Sequence, residues 1–257
     1  MNFKNAIVRT PGKNFSQGLT SANLGEPDYQ KTLEQHTAYC RALQQCGLNL
    51  TTLDPDLEYP DSTFVEDTAV LIPSAAILTR PGAASRIGEV AAIHLQLQRF
   101  YRQFYSITSP GSLEGGDICQ AGSHFFIGLS DRTNEEGARQ LAEFLAKEGY
   151  TSSTVDIRNI RDILHLKSGI AYLGDNTLVV IKSLNDHPAF KGYKTILMDP
   201  EENYAANCVM INGRVLLAKG YPKFKAKLEA LGFTTIPLDV SEFQKMDGGL
   251  SCLSLRF

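Results

Sequence analysis

The sequence predicts an α/β fold assembled from five similar units, each made of a β-hairpin, a helix and a further strand. Four segments contain two β-rich runs around a tight turn, and helical periodicity follows several of them. Successive units begin about 40 to 50 residues apart. Five such units would fill the 257 residues, and none is large enough to bury a core alone. We therefore expect a single domain over residues 1–257.

Turn residues at the centres of the four hairpins predict where each chain reversal occurs. Asn212-Gly213 is the strongest of these signals, since this dipeptide favours a two-residue hairpin turn. The β-rich run NAIVRTP at 5–11 has the same character and adds a further strand near the start of the sequence. The predicted hairpins cover Thr63–Thr79, Glu114–Leu129, Lys167–Lys182 and Asn207–Lys219.

Apolar residues recur at helical spacing after the first, second and fourth of these hairpins. Gly149 and Gly232 follow the second and third of these helical segments, where a glycine commonly ends a helix. A β-rich run comes next in both cases, which completes the unit. The predicted helices lie within Arg86–Tyr105, Thr133–Gly149 and Lys223–Gly232, and the predicted strands cover Thr151–Ile157 and Thr234–Leu238.

The charge balance and the cysteine pattern exclude several classes of protein. With 25 basic and 28 acidic residues the formal net charge is −3, which gives no electrostatic reason to expect nucleic acid or a membrane as partner. No apolar run approaches the length of a spanning helix, and the N-terminus lacks an apolar signal-peptide core. The five cysteines form no CxxC pair, so we expect neither a disulfide framework nor structural zinc. These features predict a cytoplasmic protein.

Chemically useful side chains occur near the point where separate units begin. When similar units repeat around an axis, equivalent positions of the units lie on a common rim close to that axis. Residues that are distant in sequence would therefore meet in one cleft. A nucleophile, a base and a carboxylate are the groups that such a cleft needs for covalent catalysis. The residues at these positions are Glu66, Asp67, Glu114, Asp117, His165 and Cys252.

Cys252 and His165 are the candidate nucleophile and proton carrier. Gly248-Gly249 lie just before Cys252 and permit a close backbone approach, which suits a nucleophile at an exposed strand edge. Alternation in the segment 163–168 predicts a strand in which His165 and Lys167 share one face. A histidine between leucines is also a common core residue. The other cysteines, Cys40, Cys46, Cys119 and Cys208, are expected to be small buried hydrophobic residues.

Paired carboxylates without metal-ligand spacing point to a cationic organic ligand. A guanidinium is the natural partner of such a pair, because its planar fork of N–H donors matches carboxylate oxygens. Arg86 and Arg132 are candidates for binding a substrate carboxylate. The acidic candidates lie in the segments PDSTFVED at 60–67 and EGGD at 114–117, which contain Asp61, Glu66, Asp67, Glu114 and Asp117.

Four motifs in sequence order carry a family resemblance that covers essentially the whole chain. PDSTFVED, LEGGD, LHLKSG and MDGGLSCLSLRF resemble the guanidine-modifying enzymes of the pentein superfamily, and most closely the dimethylarginine dimethylaminohydrolase family in its compact bacterial form. The resemblance implies a pseudo-symmetric five-bladed α/β propeller of ββαβ-type units, the pentein fold. It also implies hydrolysis of an Nω-methylated arginine to citrulline and a methylamine through a covalent thiouronium-type intermediate.

The same resemblance implies a role for each candidate residue. Cys252 would attack the guanidinium carbon, His165 would protonate the departing amine and then activate water, and Glu114 would orient His165. No cofactor or metal is implied, zinc held by Cys252 and His165 would inhibit, and compact relatives suggest a homodimer. The implied substrate-binding residues are Asp61, Glu66 and Asp67 on the substrate nitrogens, Arg86 and Arg132 on the α-carboxylate, Leu19 on a flexible covering loop and Met246 through its backbone.

Three alternatives stay open on the sequence. The chain would be an arginine deiminase or another guanidine hydrolase, an amidinotransferase, or a non-catalytic binding module of the same fold. The joint presence of Cys252, His165 and Glu114 disfavours the binding module. Deiminases and amidinotransferases resemble one another in carrying an aspartate two residues after the histidine, whereas Lys167 occupies that position here. This difference favours a substrate with methylated nitrogens.

Overall fold

The strands of this computed structural model, which describes residues 2–257, form five three-stranded sheets with one shared topology. In each sheet the central strand pairs antiparallel with one neighbour and parallel with the other. The antiparallel pair is a hairpin in the second to fifth sheets, and a crossover connects the parallel pair. The predicted α/β class and the five repeated units are therefore confirmed.

The first sheet joins the beginning and the end of the chain. Strand β1 (Asn5–Arg9) pairs in parallel with β2 (Asn49–Leu53) after the crossover helix α1 (Tyr29–Gln45). Its other neighbour is β15 (Leu255–Arg256), the last strand of the chain. Asp28 caps α1, since its side chain accepts a hydrogen bond from the backbone of the first helical turn. The pairing of β1 with β15 closes the ring of five units.

The second and third sheets follow the predicted pattern of hairpin, helix and parallel strand. Asn134 accepts a hydrogen bond from the first turn of the helix in the third unit, and Gly149 follows that helix with φ +83°. The elements of the second unit are β3 (Ala69–Ile72), β4 (Ala75–Leu78), α2 (Glu89–Leu97) and β5 (Phe104–Ser106). Those of the third are β6 (Ile118–Ala121), β7 (His124–Leu129), α3 (Glu135–Lys147) and β8 (Thr151–Asp156).

The fourth and fifth sheets differ in their crossovers. Two short 3-10 helices replace the α-helix of the fourth unit, and the sequence analysis predicted no helix there. In the fifth unit Asn212 and Gly213 both have positive φ, as the predicted hairpin turn requires. The strands and helices are β9 (Ile170–Gly174), β10 (Thr177–Val180), β11 (Lys194–Leu197), β12 (Val209–Ile211), β13 (Arg214–Ala218), α4 (Pro222–Ala230), β14 (Thr234–Leu238) and the short α5 (Ser241–Gln244).

Buried side chains of neighbouring units pack into shared clusters. Phe126 of β7, Val180 of β10 and Val215 of β13 belong to one such cluster, which joins the third, fourth and fifth units. Ile7 of β1 and Ala76 of β4 lie in another, which joins the first and second units. Burial of this apolar surface between units stabilises the ring, because no single sheet has a core of its own. No helix within residues 2–257 combines the length and the apolar character needed to cross a membrane.

In every unit a 3-10 helix precedes the strand that pairs antiparallel with the central strand. These helices show that two expectations from the sequence are wrong. His165 lies in extended backbone just before one of these helices, so the predicted strand over 163–168 is wrong. Cys252 lies within another and is 9% exposed, so it does not stand at an exposed strand edge. These 3-10 helices span Val65–Thr68, Gly115–Asp117, Leu166–Ser168, Pro200–Ala206 and Ser251–Leu253.

Candidate active site

A cavity of about 190 Å³ lies where four of the five units meet. Nine of the ten residues that the sequence analysis selected for the site line this cavity. Each comes from a loop or a 3-10 helix. Of the six residues expected at the common rim, Asp67, Glu114, His165 and Cys252 line the cavity, whereas Glu66 and Asp117 do not. The nine residues are Leu19, Asp61, Asp67, Arg86, Glu114, Arg132, His165, Met246 and Cys252.

His165 and Glu114 form a buried pair in this cavity. The Nε2 atom of His165 lies 2.7 Å from Oε2 of Glu114, and the other carboxylate oxygen accepts a hydrogen bond from the Ala83 amide. Burial lowers the pKa of His165, but the negative charges of Asp67, Asp117 and Glu114 outweigh it and raise that pKa above its ordinary value. The pKa of Glu114 is lowered: burial opposes the charge, and the hydrogen bond and charge of His165 more than compensate. His165 is therefore an imidazolium at neutral pH, able to donate a proton.

The glycine pair that precedes Asp117 lets this histidine approach the backbone. A Cβ atom on Gly116 would lie 2.8 Å from Cγ and Nδ1 of His165 and 2.9 Å from Oδ1 of Asp67. The Gly116 amide instead donates a hydrogen bond to that same Asp67 oxygen at 2.8 Å. Only glycine leaves room for the ring here, which explains one of the two glycines in the LEGGD motif.

Asp67 is held by Arg86, whose guanidinium is fully engaged. Nη1 of Arg86 donates to Oδ2 of Asp67 at 2.6 Å, while Nε and Nη2 donate to both oxygens of Glu89. Nη2 also donates to the carbonyl oxygen of Phe64. Arg86 therefore lines the cavity without a free N–H pair, and it would have to release a carboxylate before it could bind one from substrate. This differs from its expected role on the α-carboxylate.

Arg132 remains the arginine with an available guanidinium. Its side chain is partly exposed at the cavity wall, and within residues 2–257 it makes no hydrogen bond or ion pair. A bound carboxylate would find a planar pair of N–H donors there. The geometry fits the role that the sequence analysis gave to Arg132.

A loop near the start of the chain covers the cavity. The Leu19 amide donates to both oxygens of Asp61 at 3.1 and 3.2 Å, and burial raises the pKa of that carboxyl. Ser21 donates to Asp247 through its amide and its hydroxyl group. The Leu19 side chain is 43% exposed and forms part of the outer cover. Met246 is buried and lines the same cavity, and its expected backbone contact to substrate stays a prediction.

Cys252 reaches the cavity as a protonated thiol. Burial raises its pKa to about 12, and the negative charges of Glu66 and Asp67 act in the same direction. A thiol with that pKa is a weak nucleophile, because the thiolate is the reactive form. A cation bound beside the sulfur would lower the pKa again. The site therefore suits a cationic substrate that activates its own nucleophile.

Glu66 is the one selected residue that does not line this cavity. Its Oε1 atom accepts from Lys167 Nζ at 2.6 Å and from Arg256 Nη2 at 2.8 Å, and its Oε2 atom accepts from Ser251 Oγ at 2.7 Å. Both oxygens are thus engaged behind Cys252. This placement differs from the expected role of Glu66 on the substrate nitrogens. Successive side chains of a 3-10 helix point in different directions, so Glu66 and Asp67 face different cavities.

Two buried acidic residues support the site without lining the cavity: Asp117, one of the acidic candidates at the unit starts, and Glu89, which had not been a candidate. Asp117 is fully buried and accepts hydrogen bonds from the Leu166 amide at 3.0 Å and from Ser130 Oγ at 2.7 Å. It therefore fixes the backbone next to His165 and contacts no cavity space. Glu89, which immobilises Arg86, carried no signal beyond its position three residues after an arginine.

Asp67, Glu114 and His165 are also the group best arranged for a metal ion. Within the described residues, one ligand atom from each lies within 4.8 Å of the others. However, these atoms already make hydrogen bonds. Glu114 pairs with His165, and Asp67 accepts from Arg86 and from the Gly116 amide. An organic cation placed between Asp67 and Glu114 would leave those contacts intact.

Comparison with known proteins gives matches over the full length of the chain. The chain is 48% identical to the N(G),N(G)-dimethylarginine dimethylaminohydrolase of Pseudomonas aeruginosa, over 99% of this chain and 100% of that one. The crystal structure of a cysteine-to-serine mutant of the Pseudomonas aeruginosa enzyme with citrulline superposes with a TM-score of 0.97 at 47% identity, over 100% of both chains.

A second structure is a histidine-to-glycine variant of dimethylarginine dimethylaminohydrolase as an adduct with S-methyl-L-thiocitrulline. It superposes with a TM-score of 0.96 at 48% identity, over 99% of this chain and 100% of that one. A family model described as arginine deiminase matches residues 91–195. The full-length identity and the shared five-unit architecture show that the chain belongs to the dimethylarginine dimethylaminohydrolase family.

Proposed function

We propose that this chain hydrolyses Nω-methylated arginine, in its asymmetric dimethyl or monomethyl form, to citrulline and a methylamine. The observation that carries the proposal is the meeting of Cys252, the His165–Glu114 pair and Asp67 in one small cavity. A relative with 48% identity over the full length has dimethylarginine dimethylaminohydrolase as its name, and its structure holds citrulline. No cofactor is invoked at any step.

Substrate recognition is proposed to use charge at both ends of the ligand. The guanidinium lies between Asp67 and Glu114, whose carboxylates keep it protonated and therefore electrophilic at carbon. Arg132 pairs with the α-carboxylate, and Asp61 with the covering loop faces the amino-acid end. Arg86 acts through Asp67, because its Nη1 atom donates a hydrogen bond to Oδ2 of Asp67 at 2.6 Å and fixes the position of that carboxylate. Met246 contributes through its backbone.

The proposed first half-reaction forms a covalent adduct. The bound guanidinium lowers the pKa of the Cys252 thiol, the proton leaves to solvent, and the thiolate attacks the guanidinium carbon. The imidazolium of His165 then donates its proton to the methylated nitrogen. Cleavage of that C–N bond releases the methylamine and leaves a thiouronium-type adduct on the sulfur, with His165 neutral.

In the proposed second half-reaction water replaces the sulfur. Neutral His165 accepts a proton from a water molecule, and the resulting hydroxide attacks the adduct carbon. The C–S bond breaks, the Cys252 thiolate leaves, and the hydroxyl proton of the product passes to the sulfur, which gives neutral citrulline and the starting thiol. Glu114 stabilises the imidazolium that is regenerated, since the two groups lie 2.7 Å apart. Protons and charges balance over one turnover with water as the only co-reactant.

A second candidate function is arginine deiminase activity, which the match of residues 91–195 favours. Against it, Lys167 stands where deiminases carry an extra carboxylate, and its ammonium group binds Glu66 behind the site. A steady-state assay that compares asymmetric dimethylarginine, monomethylarginine and free arginine decides between the two. Citrulline from methylarginine with little from arginine supports the first proposal, and the reverse preference supports the deiminase.

Two further alternatives are separated in the same experiment. An amidinotransferase would transfer the amidino group to added glycine, whereas a hydrolase gives citrulline regardless of glycine. A non-catalytic binding module would form no product from any of the guanidines. Cys252→Ser serves as the matched control, because it removes the nucleophile with a minimal change in volume.

The setting of the enzyme is proposed on the same chemistry. Catalysis by a free thiol requires a reducing compartment, which makes the cytoplasm the proposed location. We propose one catalytic domain over residues 1–257, since β15 returns to pair with β1. We further propose that the chain forms a homodimer and has neither nucleic acid nor a membrane as partner. Light scattering of the purified chain measures its mass in solution and tests the homodimer.

A further inference from the structure

A second cavity lies behind the nucleophile and is lined by residues of all five units. It has a volume of about 180 Å³ and is lined by Glu66, Lys167, Ser251 and Arg256. Adjacent residues thus open to opposite cavities: Asp67 faces the active site and Glu66 the space behind it, and Cys252 and Ser251 divide in the same way. A layer of charged side chains therefore separates the two cavities directly behind Cys252.

Glu66 and Arg256 both bind Ser251, the residue before the nucleophile. Glu66 is 3% exposed and accepts a hydrogen bond from Ser251 Oγ at 2.7 Å. Arg256 donates from Nη1 to the carbonyl oxygens of Ser251 and Ser254, at 3.0 and 2.9 Å, and from Nη2 to Glu66 at 2.8 Å. This ion pair thus holds the hydroxyl group and the carbonyl oxygen of Ser251. Asn207 adds two contacts, since it accepts from the Ser251 amide at 2.9 Å and donates to Ser251 Oγ at 3.1 Å.

The 3-10 helix that carries Cys252 depends on such external contacts. It has three residues and no side-chain cap, and the Cys252 amide makes one backbone hydrogen bond, to Gly249. Short 3-10 segments have poor hydrogen-bond geometry of their own. Displacement of a reacting atom by about 1 Å costs about 10²-fold in rate. The position of the sulfur therefore depends on what holds Ser251.

We propose that Glu66 and Arg256 are positioning residues for Cys252, acting through Ser251 from behind the site, and that Glu66 makes no contact with substrate. Lys167 completes the arrangement by pairing with Glu66 at 2.6 Å. The inference rests on the proposed function for its kinetic readout. Its chemical readout, the reactivity of the Cys252 thiol, is independent of any substrate.

The charges of Glu66, Lys167 and Arg256 also affect the pKa of the Cys252 thiol. This effect gives a second measurable quantity, which should change in opposite directions in two variants. The negative charge of Glu66 raises the pKa of Cys252, and Lys167 lowers it. Glu66→Gln removes the negative charge, so more thiolate is present at a given pH. Arg256→Met leaves Glu66 less compensated, so less thiolate is present. Both changes loosen Ser251 and slow catalysis, yet they move thiol reactivity in opposite directions.

The test combines steady-state kinetics with alkylation of Cys252 by iodoacetamide, followed by mass spectrometry of the peptide that contains it. For Glu66→Gln and Arg256→Met we expect kcat for asymmetric dimethylarginine to fall at least about tenfold with KM within about twofold. The alkylation rate at pH 8 should rise about threefold in Glu66→Gln and fall about threefold in Arg256→Met. Arg139→Met, at an exposed ion pair of α3, is the matched control and should change neither quantity.

Several outcomes would overturn the proposal. A higher KM with unchanged kcat in Glu66→Gln would make Glu66 a substrate ligand, and alkylation rates equal to wild type in both variants would remove the positioning role. Thermal unfolding checks each variant. If Arg256→Met does not fold, Arg256→Gln takes its place, since it also removes the positive charge but keeps a hydrogen-bond donor. If the wild type forms no citrulline, the proposed function fails, while the two opposed alkylation shifts still support the positioning pair.

Discussion

The imidazole of His165 and the carboxylate of Glu114 lie 2.7 Å apart, and both side chains are buried in the wall of the active-site cavity. Their mutual stabilisation keeps the histidine protonated and the glutamate ionised at neutral pH. This contact connects the third and fourth units of the ring. It also sets the protonation state on which the proposed chemistry depends.

Glu114→Gln should therefore change both the rate and its pH dependence. The substitution keeps the shape of the side chain but removes the charge that raises the His165 pKa, so the loss of activity at high pH should begin at lower pH. We expect kcat to fall by about 10² or more, since general acid catalysis is impaired. Steady-state kinetics between pH 5 and pH 10 measure both effects. An unshifted profile would show that Glu114 does not control His165.

The same ion pair predicts how stability depends on pH. The pKa of His165 is raised on folding, so its stabilising contribution is complete below about pH 6.5 and is lost as pH rises through the raised value. Glu114, whose pKa is lowered, contributes above about pH 4.5 and loses that contribution as pH falls through the lowered value. Denaturant unfolding at several pH values should give a smaller alkaline loss in His165→Gln than in wild type. An equal loss in the two proteins would contradict the assignment.

Gly116→Ala should damage catalysis through sterics alone. Its Cβ would lie 2.8 Å from the imidazole of His165 and 2.9 Å from Asp67, so one of these groups has to move. We expect kcat to fall at least about tenfold, because displacements near 1 Å are costly. Gly122→Asn is the control: a Cβ there meets nothing, and asparagine tolerates the positive φ of that turn. Wild-type kcat in Gly116→Ala would contradict the packing described for the ring.

Arg132→Met should weaken binding without slowing the chemistry. The guanidinium of Arg132 is available at the cavity wall, whereas that of Arg86 is engaged by Asp67 and Glu89. We expect KM to rise about tenfold or more with kcat nearly unchanged, the pattern of lost uniform binding. A methylated guanidine without a carboxylate should react equally with variant and wild type. If the variant loses activity on that truncated substrate as well, Arg132 does not act on the carboxylate.

Asp247→Ala should release the covering loop. Asp247 adopts positive φ and accepts hydrogen bonds from both the amide and the hydroxyl group of Ser21. Loss of these bonds should favour the open loop, so we expect a higher KM and faster exchange of the Leu19 and Ser21 amides with solvent. Hydrogen exchange by mass spectrometry measures the second effect. Unchanged exchange in the loop would show that Asp247 does not hold it.

The hairpins and most helices were predictable because local signals specify them. Asn212-Gly213 favours one turn type, and Gly149 follows a helix whose apolar face has clear helical spacing. The same signals gave the order and spacing of the units. Convergence of the polar residues then followed from repetition around an axis, which placed Cys252 and His165 in one cavity.

The directions and contacts of individual side chains in the site could not be predicted from the sequence, for a physical reason. A 3-10 helix of three or four residues leaves no periodic pattern in the sequence, and its successive side chains differ in direction by about 120°. Nothing local therefore distinguishes Asp67, which faces the active site, from Glu66, which faces the space behind it. The engagement of Arg86 likewise depends on Asp67 and Glu89, a tertiary arrangement that its own sequence context does not encode.

The central claim is that Cys252 forms a covalent bond to the guanidinium carbon and that His165 is needed to release it. Rapid-quench mass spectrometry with asymmetric dimethylarginine tests this directly in wild type, His165→Gly and Cys252→Ser. We predict a transient mass increase on the Cys252 peptide equal to substrate minus dimethylamine in wild type, and a persistent increase in His165→Gly. An unmodified Cys252 during turnover, together with full activity in Cys252→Ser, would contradict the account.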